Sequence, residues 1–254
     1  MTCKSRIITT VAAGIAGMAV TGGAMAAGNF TDINPPSTAG EKSQAQLLSQ
    51  VYGGSWSLAA NGVDYTNGSM TAMRLADTGV NTPTSLTTGV SGTDDVWTGP
   101  AASTIIAKAK YAADNSLFGW FDDTGADHSF KPLFNTSQAG SAATLLLPAN
   151  FRWGLQDLTT NKLWTSHAAD QTQTNLFGQQ IPSDQMVTYK VTGVSGDSQI
   201  NEWALFWEDR GNGQLSDRDY NDAMVTIQAS AIPTPGAGAL MGLGALGLAR
   251  RKRR

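Results

Sequence analysis

The sequence is poor in the residues on which disulfide crosslinks and most enzyme active sites depend. Its single cysteine is Cys3, so the chain forms no internal disulfide, and its only histidines are His128 and His167. Neither a Gly-x-Ser-x-Gly elbow nor a His-Glu-x-x-His motif occurs in it, which removes the best-marked signatures of serine hydrolases and zinc peptidases. We therefore predict a noncatalytic protein. The enzyme alternative is a secreted hydrolase, which would lose turnover, but not folding, in an Asp219→Ala variant.

Good helix formers are also scarce. Leucine, glutamate and lysine are sparse, while glycine, serine, threonine and asparagine are frequent, so long helices are not expected. From Trp56 onward, short stretches rich in β-branched and aromatic residues alternate with turn signals such as Asn-Gly and Ser-Gly. This pattern is typical of an all-β, antiparallel β-sandwich, and we expect a jelly-roll-like one. Apolar alternation over residues 223–229 predicts a strand with one packed face and one exposed face.

One short helix is predicted near residues 40–52. Thr38-x-x-Glu41 has the form of a capping box, and Leu47, Leu48 and Val51 then fall on one helical face before Gly53 and Gly54.

The N-terminal residues have the layout of a secretion signal. Lys4 and Arg6 precede an uncharged apolar run from Ile7 to Val20, and Ala24-Met25-Ala26 offers small residues for a signal peptidase. We expect residues 1–26 to be removed and the rest of the chain to be exported.

The C-terminal residues have the layout of a membrane-sorting tail. Pro233-Thr234-Pro235 is followed by an apolar Gly/Ala/Leu stretch and by a basic cluster that begins at Arg250 and Arg251; such a cluster stays on the cytoplasmic side. This order resembles the PEP-CTERM sorting signal of bacteria that make exopolysaccharide, with threonine where that motif has glutamate. The resemblance implies a short transmembrane helix, transient anchoring at the cell surface, and processing by an exosortase-type enzyme.

We divide the chain accordingly. The expected segments are a signal peptide (1–26), an N-terminal part with the helix, edge strands and loops (27–99), a β-sandwich core domain (100–231) and the sorting tail (232–254). Without the two ends, 10 Lys+Arg remain against 20 Asp+Glu, a formal net charge near −10. An acidic surface argues against nucleic acid as a partner and is compatible with divalent cations.

The most unusual segment is an acidic, glycine-rich loop between two apolar stretches, residues 203–227. Carboxylate oxygens on a flexible loop suit Ca²⁺, although the spacing is not that of an EF-hand. The candidate ligands are Glu208, Asp209, Asp217, Asp219 and Asp222. In the alternative interpretation, these side chains cap turns and pair with Arg210 and Arg218.

The same segment resembles an uncharacterised domain of exported bacterial surface proteins. Its signature is an aromatic-Glu-Asp, a glycine-rich loop and Asp-x-Asp-Tyr/Phe-Asn-Asp, matched here by residues 207–209 and 217–222. The resemblance covers residues 100–229. It implies a β-sandwich and an extracellular location, and it implies no activity.

The seven tryptophans are many for this length, and exposed indole rings stack on sugars. Most are expected in the core. Trp164, beside Asn161 and Lys162 in an expected turn, is the best candidate for an exposed ligand-binding ring. The sequence therefore predicts a noncatalytic cell-surface or extracellular-matrix protein, with a carbohydrate-binding module for exopolysaccharide as an alternative.

Overall fold

The computed structural model describes residues 29–36, 40–77, 83–87, 92–99, 103–123, 129–170, 172–174, 180–182, 184–209 and 217–231. The predicted signal peptide and sorting tail, with Thr38, His128 and Arg210, lie outside the described residues. No helix in the described part of the chain is long and apolar enough to span a membrane.

The described chain consists mainly of antiparallel strands with one short α-helix, which confirms that part of the predicted fold. The helix α1 is Gln44–Tyr52, and a single 3₁₀ turn lies at Ala168–Asp170. The strands are β1 Ser57–Leu58, β2 Tyr65–Thr66, β3 Met70–Arg74, β4 Pro83–Ser85, β5 Thr93–Thr98, β6 Ser103–Ala112, β7 Ser116–Asp122, β8 Lys131–Asn135, β9 Ala142–Leu145, β10 Asn150–Asp157, β11 Lys162–Thr165, β12 Thr172–Thr174, β13 Gln180–Pro182, β14 Met186–Ser195, β15 Ser198–Trp207 and β16 Ala223–Ala231.

Two large sheets contain most of these strands. The first has eight strands in the order β1-β2-β3-β14-β15-β16-β6-β9, and every neighbouring pair is antiparallel. The second has the order β4-β5-β10-β7-β8, with β11 also paired to β10, and its only parallel pair among the described strands is β4 with β5. Strands from residues 57–98 thus join the same two sheets as the later strands.

The two sheets pack face to face around an aromatic core. The second sheet contributes Trp97, Phe118 and Trp153, and the first contributes Trp203 and Trp207, all fully buried. The ring centroids of Trp97 and Trp203 lie 5.2 Å apart, edge to face, across the interface. Phe118 stacks on Trp153 at 5.2 Å within its own sheet and meets Trp207 at 6.4 Å across it. Burial of these large rings stabilises the sandwich, since aromatic side chains dominate core energetics.

The outer face of the eight-stranded sheet is covered as well. Leu47 and Leu48 of α1 form a second apolar cluster with Tyr189 of β14, Phe206 of β15 and Met224 of β16. The strand predicted over 223–229 therefore differs from expectation. Its second face is buried beneath the helix layer along most of its length and becomes exposed only at Gln228.

The predicted helix forms, but it begins at a different cap. Ser43 is the N-cap, and the capping box joins it to Gln46, whose backbone N lies 3.4 Å from the Ser43 Oγ and whose Oε1 lies 2.8 Å from the Ser43 backbone N. The capping box proposed on Thr38 and Glu41 was wrong, because Glu41 precedes the helix and a better Ser-x-x-Gln box follows it directly.

Candidate metal centre

The acidic loop joins β15 to β16, and four of its described carboxylate side chains are buried. Glu208 is fully buried, Asp209 is 8% exposed, Asp219 is 2% and Asp222 is 5%. Carboxylates are rarely buried to this degree unless they are paired or bind a metal. The structure thus gives these side chains a different setting from that of a solvated loop.

One group of three carboxylates brings the two ends of the loop together with a distant turn. Asp209 and Asp222 meet Asp114, which lies between β6 and β7, with one oxygen from each within 4.8 Å of the others. The backbone N of Asp209 donates to Oδ2 of Asp222 at 2.9 Å, and the backbone N of Ala113 donates to the Asp222 carbonyl O at 2.6 Å. Burial, then the charges of Asp222 and Asp114, raise the pKa of Asp209 to about 9. Ionising all three carboxyl groups is therefore costly, and a bound cation would relieve that cost.

A second group unites the far end of the loop with the segment before α1. One oxygen each from Glu41, Asp217 and Asp219 lies within 4.8 Å of the others. Burial, then the neighbouring Asp217 and Asp222 charges, raise the pKa of Asp219 to about 7, while the Asn221 amide donates to Oδ2 of Asp219 at 2.7 Å.

The five predicted ligands are therefore divided between two places. Asp209 and Asp222 belong to the first group, Asp217 and Asp219 to the second, and Glu208 to neither. Glu208 continues the line of β15, and its backbone N donates to the carbonyl O of Gln185 at 2.9 Å. Each group consists of oxygen ligands, which suit Ca²⁺ or Mg²⁺ better than softer metals.

The additional members of these groups come from segments far from the loop in sequence. Asp114 and Glu41 carry no local motif, so only the pairing of β6 with β16 and the position of α1 reveal them. The Asp-rich loop was the one signal in the sequence, and it identified four of the six carboxylates.

A third group of carboxylates was missed entirely. Asp77, Asp94 and Asp184 each offer an oxygen within 4.8 Å of the other two. Because they lie after β3, on β5 and before β14, no spacing pattern links them.

Trp164 is not an exposed ring. It is 4% exposed and belongs to the core between the sheets. The turn predicted around Asn161 exists, but Trp164 lies beyond it on β11, where it is opposite Leu155 of β10 and shares that residue's inward face. The prediction of an exposed sugar-stacking tryptophan at this position was wrong.

A cavity of about 390 Å³ lies at the N-terminal end of the described chain. Its lining includes Phe30, Asn34, Tyr65 and Arg74. Phe30 is 40% exposed, and its ring centroid lies 5.6 Å from the guanidinium carbon of Arg74. The volume is within the range typical of small-molecule sites.

No protein-family model matches the chain, and no curated protein sequence matches it.

Proposed function

We propose that this chain is a noncatalytic exported protein of the cell surface or extracellular matrix, associated with exopolysaccharide or biofilm and processed at its C-terminal tail by an exosortase-type enzyme. One observation supports the proposal: the described strands form a β-sandwich, and in the sequence this part of the chain is flanked by the predicted secretion signal and the predicted sorting tail. Strand β16 pairs with β6 up to Ala231, two residues before Pro233. Cleavage in the tail would therefore release the sandwich with all of its strands.

The jelly-roll-like assignment belongs to the same proposal. Its support is that the consecutive strands β6 and β7, and likewise β9 and β10, lie in opposite sheets.

The test of export and processing uses the full chain, tagged at an exposed loop, in a bacterium with and without its exosortase. We expect release into the medium only in the first strain, with a new C-terminus near Pro233 by mass spectrometry. A Pro233→Ala, Pro235→Ala variant and an Arg250→Ala, Arg251→Ala variant should stay in the membrane fraction. Equal release by both strains would contradict processing, and retention in the cytoplasm would contradict export.

We further propose that the acidic loop binds Ca²⁺ and that this stabilises the sandwich. The support is that Asp209, Asp219 and Asp222 are buried and that the loop carboxylates are crowded beside Asp114 and Glu41. A ligand that binds only the folded state raises its stability. Thermal unfolding in EDTA and then in Ca²⁺ or Mg²⁺ should show a Ca²⁺-specific rise.

Variants test whether the loop carboxylates cause the Ca²⁺-specific rise in unfolding temperature. The rise should be smaller in Asp217→Asn with Asp219→Asn and unchanged in Asp197→Asn, whose side chain is exposed in the turn between β14 and β15. Equal rises in all three proteins would mean that the loop carboxylates only cap turns and interact with neighbouring side chains.

A carbohydrate-binding module is the second candidate, and the cavity beside Phe30 is the observation that favours it. Aromatic faces and polar groups together are the usual lining of sugar sites. Binding on a glycan array that is lost in Phe30→Ala would support it, and an array without hits would eliminate it.

A further inference from the structure

The third carboxylate group lies where the two sheets meet. Asp77 follows β3 and Asp184 precedes β14, which are neighbours in the eight-stranded sheet, whereas Asp94 belongs to β5 of the other sheet. The backbone N of Asp94 donates to the carbonyl O of Ala76 at 3.2 Å, which holds the end of β3 against β5. The group therefore joins both layers of the sandwich and shares no residue with the acidic loop.

Two of the three carboxylates are held in place by one oxygen each. Oδ2 of Asp77 accepts from the backbone N of Thr31 and from the guanidinium of Arg74, the latter at 2.8 Å. Oδ1 of Asp184 accepts from the backbone N of Met186 at 3.1 Å. These contacts fix the orientation of both groups and leave their second oxygens directed elsewhere.

The remaining oxygens have no hydrogen-bond donor among the described residues. They are Oδ1 of Asp77, Oδ2 of Asp184 and both oxygens of Asp94, and all are buried. Asp94 itself is 1% exposed. A buried acceptor without a donor is destabilising, and more so if it is charged, so four such oxygens on three neighbouring side chains point to an electropositive partner.

Charge and geometry identify that partner. Three carboxylates face one guanidinium, that of Arg74, so the ionised group has a net charge of two negative units. Oxygens on opposite sides of a Ca²⁺ ion at about 2.3–2.6 Å lie about 4.6–5.2 Å apart. Here one oxygen from each of the three carboxylates lies within 4.8 Å of the other two. Ligands that are all oxygen favour Ca²⁺ over zinc or copper.

We propose that Asp77, Asp94 and Asp184 form a buried Ca²⁺ site that links the two sheets of the sandwich. The site shares no carboxylate with the proposed Ca²⁺ binding at the acidic loop, although the hydroxyl of Tyr220 in that loop donates to the carbonyl O of Asp184 at 3.2 Å. Arg74 neutralises the remaining carboxylate charge and keeps Asp77 oriented.

The test compares Asp94→Asn with Asp95→Asn, a matched control on the next residue of the same strand, whose carboxylate pairs with His167. The full-length chain is purified in mild detergent, bound Ca²⁺ is counted by equilibrium dialysis, and thermal unfolding is followed at pH 8. We expect Asp94→Asn to bind one Ca²⁺ fewer than wild type and Asp95→Asn to bind the same number.

Wild type should be the more stable protein in Ca²⁺ but not in EDTA. In EDTA, Asp94→Asn should unfold at the same temperature as wild type or higher, because the amide removes a repelling charge. With Ca²⁺ at 100 times its Kd, wild type should gain about 5–10 °C more than the variant. Asp184→Asn should behave as Asp94→Asn does, and it replaces that variant should the latter not fold.

Two results would overturn the site. One is an unchanged number of bound Ca²⁺ ions in both Asp94→Asn and Asp184→Asn. The other is a higher unfolding temperature of the variants in both buffers, which would mean that protons rather than Ca²⁺ neutralise the group. The Asp217→Asn, Asp219→Asn variant separates the two proposals, because it should lose Ca²⁺ at the loop while keeping the ion that depends on Asp94.

Discussion

Replacing Arg74 with methionine should destabilise the protein strongly. The Arg74 Nη2 lies 2.8 Å from Oδ2 of Asp77, and the two side chains are 3% and 2% exposed. Methionine keeps much of the side chain's length but removes the only positive charge in contact with Asp77 among the described residues. Removing one partner of a buried ion pair costs about 3–5 kcal/mol. At about 2–4 °C per kcal/mol for a domain of this size, the unfolding temperature should fall by roughly 6–20 °C.

Arg152→Met is the matched control. Arg152 also contacts two carboxylates, Asp123 at 2.8 Å and Asp170 at 2.6 Å, but its side chain is 23% exposed. Ion pairs in contact with solvent contribute about 0–1 kcal/mol, so this variant should lose at most a few degrees. The assay is thermal unfolding of both variants and wild type by circular dichroism, in EDTA at pH 8.

The destabilisation caused by Arg74→Met should depend on pH in a definite direction. Burial raises the pKa of both Asp94 and Asp184 well above the usual value, and neighbouring carboxylates raise it further. Groups whose pKa is higher in the folded state contribute stability below the unfolded-state pKa, about 3.9 for aspartate, and lose it as the pH rises through the folded-state pKa. The fall in unfolding temperature caused by Arg74→Met should therefore be smaller at pH 5 than at pH 8. This reasoning would be refuted if the unfolding temperature fell no more in Arg74→Met than in Arg152→Met. It would also be refuted if the fall in Arg74→Met became larger on acidification.

Two further perturbations test other parts of the structure. Gly119→Ala should destabilise the protein by about 1–3 kcal/mol, because a Cβ there would lie 2.3 Å from the backbone O of Lys131; an unchanged unfolding temperature would show that β7 and β8 approach less closely. His167 has its Nδ1 3.2 Å from Oδ1 of Asp95, and this interaction raises its pKa against the opposing effect of burial. The stabilisation from the His167–Asp95 interaction should be present below about pH 6.5, the unfolded-state pKa of histidine. It should be lost as the pH rises through the higher folded-state pKa. The difference in unfolding temperature between wild type and His167→Gln should thus be larger at pH 5.5 than at pH 8.5, and a constant difference would contradict it.

The β class and the short helix were predictable because each rests on local pattern. Turn signals and β-branched residues recur along the chain, and Leu47 and Leu48 mark the buried helical face. The helix cap was not predictable with the same accuracy, since two capping sequences compete within a few residues. The prediction that the outer face of β16 is exposed was wrong for another reason. Whether Met224 is covered depends on where α1 packs, and no feature of the strand itself specifies that.

The candidate site shows the same division between local and distant information. Asp209 and Asp222 are close in sequence and were found together, whereas Asp114 reaches them only through the pairing of β16 with β6. Trp164 was misplaced because composition around a turn does not determine on which face of the following strand a side chain lies. A shift of one residue reverses that face.

The three carboxylate groups share one structural property, which bears on how a chain without disulfides is stabilised if it is exported as we propose. Each brings together segments that are distant in sequence: Asp114 with the ends of the acidic loop, Glu41 with Asp217 and Asp219, and Asp94 with Asp77 and Asp184. Without a cation, the ionised carboxylates of each group repel one another, and this repulsion opposes the packing around them. With Ca²⁺ bound, each would act as a crosslink between distant segments.

This arrangement would make stability depend on location. Extracellular modules bind Ca²⁺ with Kd values of about 10⁻⁴–10⁻³ M, far weaker than is needed to retain the ion inside a cell. A chain built this way would remain less stable before translocation, which keeps it competent for export, and would become rigid after it meets Ca²⁺ outside. Measured unfolding temperatures across that Ca²⁺ range would therefore connect the carboxylate groups directly to the proposed export of the protein.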